Sequence, residues 1–554
     1  MRSLLLFSYL LLCLCLPGVA QQQTESEAAE VKKHLVYFTD KTGSPYSIQS
    51  PLQYLSAKAV ARRARQNIPV INRDLPVNPA YVNGLKEAGA TVWYTSRWFN
   101  AAIIEATPEV LTRINNLSFV RSQQPLNRKG QLSTNPVEKK NSVESASAGT
   151  LYTDTREDYG RTFHQANMLG VVDLHAAGFK GEGMTIAVLD AGFPGVNTIP
   201  AFSHLFENNQ IQGTFDFVQN QTNVFAASNH GTAVLSTMAA YKPGTIIGTA
   251  YKASYLLLRT EDSATEHNIE EINWLLAAEY ADSAGADVIN SSLGYHTFDA
   301  PSVSYTYEQM DGNTALVSKA ADYAAAAGIL VVNSAGNDGA KAWHYIAAPA
   351  DADSVLTVGA VDSLGIKASF SSFGPTADSR IKPDVVALGL NAYVLNTTGI
   401  LVKSNGTSFS GPITAGFATA LWQANYTKSN YEILELIRQL GSKAKNPDNS
   451  IGYGIPNYNR SVNALQQDKN DQQLLVINPV KNNAVTLLLG NKWLRKSVKI
   501  HVFDITGKLV WQESVQDAQP RHILSMDAEY LNKGMYLCRI QSGELNATVR
   551  FVKL

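Results

Sequence analysis

Residues 151–465 predict an α/β fold on a doubly wound, mostly parallel sheet, with a small α+β unit before it and a small β-sandwich after it. Short apolar runs at Met184–Leu189, Tyr255–Leu258, Asp287–Asn290, Leu330–Asn333 and Val355–Val358 alternate with helical stretches such as Ile269–Ala284 and Ala315–Ala327. That alternation implies parallel strands with helices on their faces. After Gln466-Gln467-Asp468-Lys469-Asn470-Asp471 the pattern changes to short strands and tight turns. A chain of 554 residues is also too long for one core.

The elements follow in order. Arg2 precedes an apolar run from Leu4 to Leu16, and Pro17-Gly18-Val19-Ala20 supplies small residues before Gln21, so residues 1–20 read as a secretory signal peptide cut after Ala20. A membrane anchor needs about 20 apolar residues, and no stretch reaches that length. Two of the three cysteines, Cys13 and Cys15, fall in this segment, leaving Cys538 without an internal partner. Residues 21–134 read as a ferredoxin-like α+β unit. Its strands are at His34–Phe38, within Thr91–Glu105 and at Phe119-Val120, and its helices at Ser56–Gln66, Pro79–Ala88 and after the Thr107 cap. Residues 135–150 form an exposed linker, the kind of segment proteases cut. A second linker, 466–474, leads to the β-rich unit 475–554, with a hairpin around Thr506-Gly507-Lys508. A net charge of −1 gives no global argument for nucleic acid or an anionic membrane as partner.

Three strings carry chemistry. Asp190 ends the apolar run Ile186–Leu189 and is followed by Ala191-Gly192. His230 lies in Asn229-His230-Gly231-Thr232-Ala233, at the start of a helix to about Ala240. Ser408 lies in Gly406-Thr407-Ser408-Phe409-Ser410-Gly411-Pro412, with a helical stretch (Ala415–Ala424) soon after and Pro412 expected in its first turn. A serine is a weak nucleophile until a base takes its proton, and the base needs a carboxylate to fix its tautomer. The order Asp…His…Ser excludes the hydrolase elbow in which Asp and His follow the serine; only His501 and His522 follow Ser408. No His-x-x-x-His pair exists, Glu266-His267 lacks a second His, and Asp351 and Asp353 read as an ordinary solvated loop, so no metal or cofactor is expected.

With these strings the chain resembles the subtilases, the subtilisin-like serine endopeptidases, whose chain order is the same. The resemblance implies a subtilisin-like catalytic domain hydrolysing polypeptides, with Asp190, His230 and Ser408 as triad. By the same resemblance Asn337, in Ser334-Ala335-Gly336-Asn337-Asp338, completes the oxyanion hole. Ser292, Leu293 and Gly294 would pair with an extended peptide, Ala335 and Gly336 wall the primary pocket, and Ala347-Ala348-Pro349 floor it. Family members often carry a second His where this chain has Ala233. Structural calcium is frequent in the family, without residues here that identify a site. The N-terminal unit resembles a propeptide that inhibits its own protease; an ordinary binding domain is the alternative. The C-terminal unit resembles a type IX secretion sorting domain, through Asn478-Pro479, the Gly507 turn, Leu531-x-x-Gly534-x-Tyr536 and a short basic-apolar end. Export machinery would then be a partner; a generic accessory sandwich is the alternative. For the whole chain, a catalytically silent binding protein on the same scaffold is the rival reading.

Overall fold

The computed structural model describes residues 31–129, 158–460 and 474–554, the last except 479, 481–483, 491, 526–530 and 544. The expected signal peptide, the linker at 135–150 and all but the last residue of the linker at 466–474 lie outside the described residues.

In the N-terminal unit, β1 (Lys32–Phe38) is followed by helices α1 (Ala57–Arg65) and α2 (Pro79–Glu87). Strands β2 (Thr91–Ser96) and β3 (Ala101–Ala106), helix α3 (Pro108–Asn115) and strand β4 (Val120–Lys129) complete it. The strands form one antiparallel sheet in the order β2-β3-β1-β4, the ferredoxin-like order. The helix starts have local causes: Ser56, Asn78 and Thr107 each accept a backbone N–H of the first turn. β4 runs well past the expected Phe119-Val120. Its residues are mostly polar, and backbone pairing with β1 rather than an apolar pattern extends it.

The central unit is a parallel sheet. Its strands are β5 (Thr185–Asp190), β6 (Ile211–Asp216), β7 (Ser254–Arg259), β8 (Val288–Ser291), β9 (Leu330–Ser334), β10 (Leu356–Val361) and β11 (Val385–Leu388). They lie in the order β11-β10-β9-β8-β5-β7-β6, every pair parallel. Five match the expected runs. The edge strands β6 and β11 were not foreseen: Ile-Gln-Gly-Thr-Phe-Asp is half-polar and Val-Val-Ala-Leu is only four residues long. Helices α4 (His230–Ala239), α5 (Ile269–Ala284), α6 (Leu316–Ala326) and α7 (Thr407–Ala424) cover the faces. One apolar core packs α4 and α7 on one face and another packs α5 and α6 on the other. Chain order reverses across β5, so ligands belong at the carboxyl ends of β5, β8 and β9.

The N-terminal unit seats on α5 and α6. Its Arg62, Arg63 and Arg97 converge on Asp282 near the end of α5, with Arg63 at 2.8 Å and Arg97 at 2.5 Å. The backbone N–H groups of Arg97 and Trp98 donate to Glu279, at 3.0 and 3.1 Å. Ser56 N–H donates to Ser283 O at 2.9 Å, and Gln66 bridges Gly328 O and Asn430 N–H, both at 2.8 Å.

The C-terminal unit is a sandwich. Three strands, β12 (Leu474–Val476), β13 (Ala484–Leu489) and β16 (Arg521–Ser525), face four: β14 (Val498–Asp504), β15 (Leu509–Val515), β17 (Gly534–Ser542) and β18 (Leu545–Lys553). Asp504 closes the expected hairpin by accepting N–H groups of Thr506 and Lys508 at 2.8 and 3.0 Å. Cys538 is fully buried between the sheets, and burial pushes its thiol up to about 12, which makes it an inert core residue. Among the described residues, no helix is long and apolar enough to cross a membrane.

Candidate active site

Asp190 ends β5 and is fully buried. Its Oδ1 accepts the backbone N–H of Ala191 at 2.7 Å and lies 2.8 Å from His230 Nδ1. The imidazole must carry its proton on Nδ1 to make that bond, which leaves Nε2 as an acceptor. His230 opens α4, and the following glycine explains how a helix start comes so near a strand end. A Cβ on Gly231 would lie 2.4 Å from Gly192 O and 3.0 Å from Asp190 Cβ. Burial works against the charged imidazole, but the charge and hydrogen bond of Asp190 outweigh it and raise His230 above its ordinary value. The ring is reachable, with its side chain 30% exposed.

Ser408 is the second residue of α7, which begins at Thr407 rather than near Ala415. Its backbone N–H therefore has no carbonyl within the helix to reach. Its hydroxyl donates to Ser292 O at 3.5 Å, and the ring of the adjacent Phe409 lies 6.2 Å from that of His230. The early start also overturns the expected place of Pro412, which sits inside the helix. A proline there cannot donate to the carbonyl four residues back, which is Ser408 O. Ser292 Oγ supplies the missing donor at 3.1 Å. One serine of β8's extension thus secures the nucleophile candidate's own carbonyl.

Asn337 is fixed from the same helix. Its Oδ1 accepts both the N–H and the hydroxyl of Thr407, at 2.9 and 3.0 Å. A backbone N–H can only donate, so the oxygen is assigned without ambiguity and Nδ2 keeps its two hydrogens for another acceptor. Thr407 Oγ1 also accepts from Gly336 N–H at 3.2 Å, tying the turn after β9 to the start of α7. Gly336 has φ +107, and a Cβ there would meet Ser372 Oγ at 2.9 Å.

The remaining expected residues gather along the same sheet ends. Ser292, Leu293 and Gly294 follow β8, with Leu293 O held by Asn333 Nδ2 at 3.0 Å. Ala335 is fully buried and donates to Val358 O at 2.9 Å. Tyr295 exchanges two backbone hydrogen bonds with Ala348, at 2.7 and 3.1 Å, and Ala347 Cβ lies 3.3 Å from where a Gly294 Cβ would be. Asp338 faces His296 at 3.0 Å and Lys341 at 2.7 Å; the His296 hydrogen bond leads in holding its carboxyl down to about 2.

Asp351 departs from its expected place in a solvated loop. It is fully buried and accepts from Ser318 Oγ at 2.5 Å and Gly312 N–H at 2.8 Å, whereas Asp353 is exposed. Glu261, which sequence reasoning passed over, is buried just beyond β7, beside the Asp190 strand. The usable signal was a carboxyl three residues past an apolar run, at the strand end where functional groups collect. Carboxylate oxygens of Glu261, Glu266 and Glu270 come within 4.8 Å of one another. Burial pushes Glu261 up to about 7 and Glu270 to about 10, so Glu270 keeps its proton at neutral pH.

A family model described as the Subtilase family matches residues 181–454. One described as Peptidase S8 propeptide domain, Bacteroidota, matches residues 33–142, and one described as Secretion system C-terminal sorting domain matches 478–554. Subtilisin DY of Bacillus licheniformis is 32% identical over 283 residues, which cover 51% of this chain and 90% of that protein. Subtilisin E of Bacillus subtilis (strain 168) is 32% identical over 285 residues, 51% of this chain and 65% of its own. Serine protease AprX of the same strain is 30% identical over 312 residues, 51% of this chain and 66% of its own.

Proposed function

The chain belongs to the subtilase family, and we propose that it is an endopeptidase acting through an acyl-enzyme on Ser408. It is a serine protease carrying its own propeptide domain and a sorting domain for export to the surface or beyond. In the proposed reaction Ser408 Oγ turns from Ser292 O to His230 Nε2, gives up its proton there and attacks the scissile carbonyl. Asp190 keeps the Nδ1–H tautomer and stabilises the imidazolium. The oxyanion takes hydrogen bonds from Asn337 Nδ2 and Ser408 N–H, both fixed before substrate arrives. Collapse of the tetrahedral adduct breaks the peptide bond as His230 returns the proton to the leaving amine. Water, deprotonated by the same base, then releases the acyl group.

The observation that carries this reading is the 2.8 Å His230–Asp190 bond beside a helix start whose first N–H goes to Asn337 Oδ1 and whose second, that of Ser408, has no carbonyl within the helix to reach. Substrate would bind as an added strand along Ser292–Gly294, over a floor of Ala347 and Ala348. That floor favours a bulky apolar residue before the cut, and the nearby carboxylate of Asp338 is already engaged by His296 and Lys341. We place the signal peptide at 1–20, the inhibitory unit at 21–134, maturation within or just after 135–150, the catalytic domain at 151–465 and the sorting domain at 475–554. Treatment with a fluorophosphonate, with wild type and Ser408→Ala compared for self-processing and for cleavage of a peptide library, tests the proposal. A Ser408 adduct and an inert Ala variant are expected; equal digestion by both proteins would refute it.

A further inference from the structure

We propose that Glu261 is a positioning residue for this reaction: its carboxyl ties the Asp190 strand end to the substrate-binding segment, and its charge tunes the base. The proposal rests on the protease reading of Asp190, His230 and Ser408. Arg259 stands in register with Asp190 on the neighbouring strand, and Glu261 lies two residues further on. The intervening Thr260 donates its N–H to Asp190 O at 2.9 Å and its hydroxyl to Glu261 Oε1 at 2.7 Å. Tyr295 OH donates to the same Oε1 at 2.6 Å. Tyr295 directly follows Gly294, and its backbone is paired with Ala348 in the proposed pocket floor. A single buried oxygen thus joins the segment that carries the triad acid to the segment that would carry the peptide.

The groups that face Glu261 are few. Asp190 comes from β5 and His230 from α4. Glu266 and Glu270 come from the approach to α5 and its first turn. Arg259, at the end of β7, donates Nε to the Glu261 main-chain oxygen at 3.1 Å and Nη1 to Asp216 at 2.8 Å, and its charge works to lower the Glu261 carboxyl. Burial, and then the charge of Asp190, push the Glu261 carboxyl up to about 7 against the Tyr295 and Thr260 hydrogen bonds. It therefore changes charge in the range where an imidazole base works. Ionised, it adds to the hold of Asp190 on the imidazolium; protonated, it does not. The hydrogen bonds to Oε1 persist in both states, because that oxygen accepts either way. Charge and tether are separable.

Two substitutions separate them. Glu261→Gln keeps an acceptor for Thr260 and Tyr295 and removes the charge. Tyr295→Phe cuts the tether to the substrate segment and, by removing a hydrogen bond that favours the charged carboxyl, pushes Glu261 further up. In full-length, self-processed protein, kcat/KM and KM are measured against pH on one peptide substrate, alongside fluorophosphonate labelling. Glu261→Gln is expected to move the acid limb of kcat/KM to lower pH by about half a unit. Tyr295→Phe is expected to raise KM about three- to tenfold, one lost buried hydrogen bond, and to move the limb down by no more than Glu261→Gln does, whereas Glu261→Gln leaves KM near wild type. A purely structural Glu261 would lower activity equally at every pH in both variants, and that outcome overturns the proposal, as does an unmoved limb with an unmoved KM. If wild type takes no label at Ser408, the protease reading fails first; if it labels normally and only the limb and KM stay fixed, the role of Glu261 fails alone.

Discussion

Asp190 and Asp282 are both fully buried carboxylates at the end of a secondary-structure element, yet they are satisfied in opposite ways. Asp282 is saturated: Oδ1 takes Arg62, Oδ2 takes Arg63 and Arg97, and all three guanidinium groups come from the N-terminal unit. Asp190 spends both its hydrogen bonds on Oδ1, one of them to the half-reachable His230, while Oδ2 has no partner among the described residues. The first cluster is complete only while the two units are docked. The second keeps unspent capacity beside the imidazole proposed to move protons. Desolvating so many charges at an interface returns little net affinity, but removing one member leaves the others buried and unpaired. A propeptide needs that combination: specific seating without binding so tight that it never leaves.

The largest break in this comparison comes from the reacting group. Ser408→Ala is expected to lower kcat by about 10⁴-fold or more, measured on a peptide substrate, while the N-terminal unit remains seated. Asp282→Ala should do the reverse. It leaves Arg62, Arg63 and Arg97 without their shared acid, at a cost of about 3–5 kcal/mol to docking. After processing, the cleaved N-terminal unit should then separate from the catalytic unit at much lower salt than in wild type, with kcat of the freed enzyme intact. A fall in kcat instead would mean that the two carboxylates share one task. Burial works against the Asp282 charge, but the three guanidinium groups hold its carboxyl below the ordinary value. Its contribution to docking is therefore present above the ordinary carboxylate range and is lost as pH falls through the depressed value.

Asn337→Ala comes next. In the proposed role Asn337 donates to the oxyanion; loss of such a donor costs roughly 10²–10³ in turnover, and a similar fall in kcat with little change in KM is expected here. The pH profile then separates the two acids again. In the proposed reaction His230 must be neutral to accept the serine proton, and Asp190 raises it, so kcat/KM should decline below a midpoint higher than that of an ordinary imidazole. Asp190→Asn should move that midpoint down; Asp282→Ala should leave it in place.

The two clusters were not equally legible in the sequence. Asp190, His230, Ser408 and Asn337 each sit in a short string whose small residues are needed for close approach, as the Gly231 contact with Gly192 O shows. Such a string is local, so it can be read locally. The partners of Asp282 lie some 180 to 220 residues away, and an Arg-rich amphipathic helix reads as a solvated face until its docking partner is known. Glu261 was hidden for the same reason, since its partners Thr260 and Tyr295 give no common motif. The N-terminal helices were legible through their caps, the polar strand β4 was not, and the short edge strand β11 fell below the length at which an apolar run stands out.

The smallest effect bears on why the reacting serine stays in register at all. Pro412 removes the helical donor to Ser408 O, and Ser292 Oγ replaces it at 3.1 Å while itself accepting from Asn290 Nδ2 at 3.4 Å. Ser292→Ala should therefore strand a buried carbonyl at the most sensitive residue of the helix, costing about 1–2 kcal/mol in stability. Pro412→Ala restores the helical N–H at that point. In the double variant the loss from Ser292→Ala should shrink, because Ser408 O regains a donor, and thermal unfolding of the four proteins closes the cycle. Additive losses would show that the Ser292 side chain acts through its packing rather than through the Ser408 carbonyl. The coupling matters to the comparison because it puts an internal support under Ser408 that does not depend on the N-terminal unit. The N-terminal unit can then leave its seat while the geometry around Ser408 is kept.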